Sequence, residues 1–106
     1  MFNVYRWLRD NENQIRFCEG DGCKWYASVD IAKLLGYSHP SKAARRMLER
    51  NVALFEGHTK LIKTVHESGL TRTNLALDED AVEIFVRRAC TARAAEARDQ
   101  YYFVMN

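Results

Sequence analysis

Apolar positions recur with a period near two in the first quarter of the chain and near 3.6 in most of the remainder, and this change divides it into elements. In residues 2–8, Phe2 and Val4 alternate with polar neighbours while Tyr5 and Trp7 add bulk, and in residues 14–18, Ile15 and Phe17 alternate in the same way. Both runs read as strands. Asp10-Asn11-Glu12-Asn13 supplies one polar turn and Glu19-Gly20-Asp21-Gly22 a second, which leads into a third strand over residues 24–27. Ser28 can cap a short helix with Ile31, Leu34 and Leu35 on one face, stopped by Gly36. A second helix over residues 39–50 places Pro40, Ala44, Met47 and Leu48 on one side. Residues 59–77 read as a β-hairpin turned by Glu67-Ser68-Gly69. Asp78 then caps a closing helix with Ala81, Val82, Phe85, Ala89 and Ala92 in line. The expected fold is α+β: an N-terminal three-stranded antiparallel meander, two short helices, a β-hairpin and a long C-terminal helix.

The apolar stripe of the last helix meets Glu96, so its buried part is expected to end near residue 95. Residues 1–95 then form the domain, and 96–106 a helix extension or aromatic tail. An exposed run of Tyr101, Tyr102, Phe103 and Val104 calls for cover, either by folding back on the chain or by docking on a second copy, and docking is the favoured expectation.

With 106 residues and 12.3 kDa, the chain has room for one core. The net charge of +2 says little, but its distribution is uneven. Residues 33–63 carry seven cations against two acids, and the remainder sums to −3. A basic middle suits an acidic partner such as nucleic acid. Three cysteines cannot all pair, and no apolar leader is visible, so a reducing intracellular compartment is expected. The four-residue gap between Cys18 and Cys23 is not a zinc-site spacing, and no metal or cofactor is expected.

The helix over residues 39–50 opens on Ser38-His39-Pro40-Ser41-Lys42, with no acid in its first turn, whereas the closing helix opens on Asp78-Glu79-Asp80. A helix start presents unpaired N–H groups and the positive end of the macrodipole, which an anion can satisfy. Lys42, Arg46 and Arg50 project outward, with Arg45 at the flank and Glu49 the one acid of the region. This pattern suits phosphates on Ser38, His39, Ser41 and Lys42, with Arg45 or Arg46 reaching a groove of a duplex. Lys60 and Lys63, on the hairpin, are weaker candidates because charges also guard sheet edges against pairing. Arg87, Arg88, Arg93 and Arg98 are explained by the negative end of the last helix. Trp25 reads as core and Tyr37 as a packing residue. No phosphate-binding glycine loop, zinc-hydrolase or deaminase motif occurs, so no catalysis, small-molecule substrate or membrane association is expected.

Trp25-Tyr26, the run Ala27-Ser28-Val29-Asp30-Ile31-Ala32 and Leu35-Gly36-Tyr37-Ser38 together resemble the BRO N-terminal (Bro-N) domain of baculovirus repeated-ORF proteins and phage antirepressors. His58-Thr59-Lys60-Leu61-Ile62, Glu67-Ser68-Gly69-Leu70, Ala81 and Phe85 extend the resemblance across residues 14–90. The chain departs from that pattern at Val29, where a lysine is common, at Arg88, where a tryptophan is frequent, and in lacking the usual closing Leu-Pro. The resemblance implies non-enzymatic DNA binding in a viral or phage regulatory protein, in the host nucleus for an insect virus or the bacterial cytoplasm for a phage. The second expectation is a protein-interaction module, an antirepressor or a homodimer assembled through the C-terminal helix and tail.

Overall fold

Asn3 decides how the chain begins, because its side chain accepts the Arg6 N–H at 3.2 Å and so starts a helix. The computed structural model describes residues 1–65 and 68–103. Helix α1 (Val4–Asp10) occupies the segment expected as the first strand. Val4, Trp7 and Leu8 are buried and Tyr5 and Arg6 exposed, which is a helical spacing that a seven-residue apolar run also allows. The three-stranded meander is therefore a helix followed by one hairpin, β1 (Phe17–Gly20) and β2 (Cys23–Ala27). Its turn, Asp21-Gly22, has φ of 53° and 78°, the left-handed pair that a tight two-residue hairpin requires.

Helix α2 (Ser28–Leu34) follows β2 directly. Asp30 in its first turn accepts the Arg16 amide at 2.8 Å and the guanidinium at 2.9 and 3.1 Å, tying the helix to the entry of β1. Gly36, at φ +83°, ends the helix, and Tyr37 turns its ring edge-on to Phe85 at 6.4 Å. Next come α3 (Pro40–Arg50) and the short α4 (Val52–Phe55), the latter between the predicted helix over residues 39–50 and the predicted hairpin, where no element was expected. Strands β3 (Thr59–Val65) and β4 (Thr71–Leu77) pair from Thr59↔Leu77 to Val65↔Thr71. Glu67 of the predicted turn lies outside the described residues, as does His66.

The antiparallel sheet has the order β1-β2-β4-β3, and β4 meets β2 only at Tyr26↔Leu77 and Ala27↔Ala76. From the Leu61↔Leu75 pair onward the second hairpin thus extends past β2, and Leu61 is 68% exposed. Helices α2 and α5 (Glu79–Arg88) pack on β2 and β4, and α5 also touches α1 and α4. Ile31, Leu35, Leu77, Val82, Phe85 and Val86 are fully buried between these layers, each contributing about 1.5–3 kcal/mol. Trp25 and Tyr26 are both buried, on opposite sheet faces, and the Trp25 indole N–H reaches Gly20 O at 3.1 Å.

The long closing helix is two helices. Ala89 is extended (φ −67°, ψ 139°), and Thr91 starts α6 (Ala92–Gln100) by accepting the Ala94 N–H at 3.1 Å. Arg98 returns to donate to the Val86 and Ala89 carbonyls at 2.7 and 2.8 Å, satisfying the freed end of α5. Ala94 and Ala97 are buried, so the packed body passes through the boundary expected at residue 95. The chain then folds back on its own start. Asn3 N–H donates to Tyr101 O at 2.7 Å, Phe103 N–H to Met1 O at 2.8 Å, and the Tyr101 hydroxyl to Asp10 at 2.9 Å. Among the described residues no helix is long and apolar enough to cross a membrane.

Candidate nucleic-acid interface

Helix α3 has one buried residue, Ala44, with Ala43, Met47 and Leu48 half-buried beside it. This narrow apolar strip faces α2 and α4 and turns Ser41, Lys42, Arg45, Arg46, Glu49 and Arg50 outward. Pro40 at the first helical position has no N–H to satisfy, and the preceding His39 makes no capping bond through its side chain. Ala43 N–H reaches His39 O at 2.9 Å, which leaves the Ser41 and Lys42 amides as open donors among the described residues. Ser38 and His39 are exposed beside them.

Lys42, Arg46 and Arg50 stand four residues apart on one ridge, so each step advances about 6 Å along the axis. That rise is close to the spacing of successive phosphates on a nucleic-acid strand. Like charges at this separation cost a few tenths of a kcal/mol per pair. Among the described residues no carboxylate lies within ion-pair distance of any of the three. Arg45, one position round, sits 4.0 Å from Glu49, a loose exposed pair worth little.

A groove of about 540 Å³ runs beside the ridge. It is lined by Tyr37, Ser38 and His39, by Lys42, Arg46 and Arg50 of α3, and by Arg88 of α5, which bonds Asn51 at the end of α3. No acidic residue lines it. Arg88 is a site residue that the sequence pattern accounts for by the α5 macrodipole alone. Its place in the groove depends on α4 packing against α5, which no local pattern announces. Lys60 and Lys63 lie elsewhere, on edge strand β3. Lys60 pairs with Asp21 at 2.8 Å and covers the Trp25 ring at 5.6 Å, and hydrogen bonding to Asp21 raises its pKa. Lys63 is exposed and pairs in register with Thr73.

The residues expected to mediate assembly are likewise separated. Tyr101 is buried with its hydroxyl on Asp10, Tyr102 and Phe103 remain 63% and 36% exposed, and Val104 lies outside the described residues.

A larger cleft, about 830 Å³, adjoins the opposite end of α5 and is lined by Glu19, Lys24, Asp78, Glu79 and Asp80. Its sign repels a polyanion. Beside it His58 Nδ1 lies 2.8 Å from Asp78 and 3.8 Å from Asp80, a cluster compact enough to contact a cation. Asp78 already accepts the Ala81 N–H at 2.9 Å and bonds His58, at the positive end of a helix. The geometry is that of a helix cap reinforced by a histidine. Desolvation, then Asp78 and Asp21, push the Cys23 thiol up, contrary to what a reactive thiolate needs.

The fold and this groove define a small α+β module that presents cations from two helices on one face. The sequence pattern of the BRO family, N-terminal domain, matches residues 14–104, and the chain belongs to that family. Neither the curated proteins nor the solved structures yield a match.

Proposed function

We propose that this chain is a non-enzymatic DNA-binding module of a viral or phage regulatory protein, and that it takes backbone phosphates along the groove beside α3. The observation that carries this reading is the ridge of Lys42, Arg46 and Arg50, which has no carboxylate partner among the described residues and continues into an uncapped helix start. Family membership is compatible with such a regulatory role. Bound phosphate would relieve the repulsion along the ridge and take up the open Ser41 and Lys42 amides.

Fluorescence anisotropy of a labelled duplex across a salt series tests the reading. With about five phosphates neutralised, log affinity falls against log salt with a slope of about −4 to −5. Lys42→Gln/Arg46→Gln reduces that slope by about two, and a flat response in the parent protein overturns the proposal.

The exposed Tyr102 and Phe103 support a second reading, a protein-interaction module of antirepressor type. Concentration-dependent dimerisation by size exclusion, abolished by Tyr102→Ser/Phe103→Ser and unaccompanied by DNA affinity, favours it over the first.

A further inference from the structure

Arg88 and Arg87 share the last turn of α5, and the macrodipole accounts equally for both. Their surroundings differ. Arg88 lines the groove together with Lys42, Arg46 and Arg50, from a different helix, and Arg87 does not. Arg88 Nη1 donates to Asn51 Oδ1 at 3.2 Å. The Asn51 amide is itself fixed, since its Nδ2 donates to Met47 O at 2.8 Å and its backbone N–H to Leu48 O at 3.2 Å. Asn51 thus ends α3 and holds a guanidinium of α5. A guanidinium carries five N–H donors, and the neutral amide occupies one while leaving the charge uncompensated.

We infer that Arg88, positioned by Asn51, is a phosphate ligand on the second wall of the groove, so that the site grips one nucleic-acid backbone from two sides rather than presenting a single helix face. The inference rests on the DNA-binding reading and deepens it. Three ridge cations at intervals of about 6 Å follow successive phosphates, and Arg88 closes on the same backbone from across the groove. Contacts of this type orient the module without reading bases.

Arg88→Gln and Arg87→Gln supply the test, because they remove the same charge from the same helix end, while Arg88 alone lines the groove and bonds Asn51. Circular dichroism first confirms that both fold. In salt-series anisotropy, Arg88→Gln lowers the magnitude of the slope by about one and weakens binding by the same factor on unrelated duplexes, while Arg87→Gln changes the slope far less. Asn51→Ala keeps every cation and frees the guanidinium, so affinity falls while the slope stays within about 0.3 of the parent value.

Equal losses in Arg88→Gln and Arg87→Gln overturn the inference, since charge at the end of α5 then acts without a specific groove contact, and they leave the DNA-binding reading standing. A sequence-dependent loss in Arg88→Gln also overturns it, by making the residue a base reader. A parent protein with no salt-dependent affinity overturns both.

Discussion

Single side chains join elements here that are distant in sequence. Asp30, 13% exposed, holds both the amide and the guanidinium of Arg16 and so gives a structural reason for the acid in the Ser28-Val29-Asp30 motif. Asp30→Ala should cost about 1.5–3 kcal/mol in urea unfolding, since it removes charge-assisted bonds from a largely buried position. His58 supplies a pH-dependent counterpart. Its hydrogen bond to Asp78 raises its pKa above the ordinary 6.5, so protonated His58 favours the folded state. That contribution is complete below the unfolded pKa and disappears as pH rises through the raised folded one. The unfolding midpoint of the parent should therefore drop between pH 6 and pH 8 by more than that of His58→Gln, measured side by side. An equal drop in both would remove the role assigned to this pair.

Helices and strands were legible where a local device marks their ends. Gly36, Asp78 and the Asp21-Gly22 turn each stand where the element stops, starts or reverses, and α3 and the second hairpin occupy the expected positions. Legibility failed where two periods fit the same letters. Val4, Trp7 and Leu8 satisfy a helical face in α1, and Phe2 with Val4 suggested alternation, so the Asn3 cap was the deciding signal. The break between α5 and α6 carries neither glycine nor proline, and Thr91 alone marks it. Thr91→Ala should destabilise the protein by about 1 kcal/mol, and Thr91→Ser or Thr91→Asp should retain most of the stability, as read from chemical denaturation. The ridge of the candidate site was visible for the same local reason, a 3.6 period of cations. Arg88 was not, because its neighbours in the groove come from tertiary packing.

Across the whole molecule, charge follows the long axis of α5. Asp78, Glu79 and Asp80 open it next to an acidic cleft, and Arg88 closes it inside a basic groove. The two ends of the helix thus present opposite charge to solvent, acidic at the start and basic at the close. The final residues bear on the same body. Tyr101 is buried and bonds Asp10, so Tyr101→Phe should cost about 0.5–1.5 kcal/mol without altering oligomeric state, by denaturation and size exclusion together. Removing residues 101–106 should likewise lower the unfolding midpoint, which separates a stabilising tail from one used only for assembly.

Pairing between the first and last described residues has a mechanical consequence. The Met1 ammonium and carbonyl both engage Phe103, and Asn3 engages Tyr101, in antiparallel order. A force drawing the two termini apart loads these bonds in sequence instead of sharing the strain among them. They should yield as a zipper does, at low tension in an optical trap, with Tyr101 and Asp10 parting next and the buried layers around α5 resisting longest.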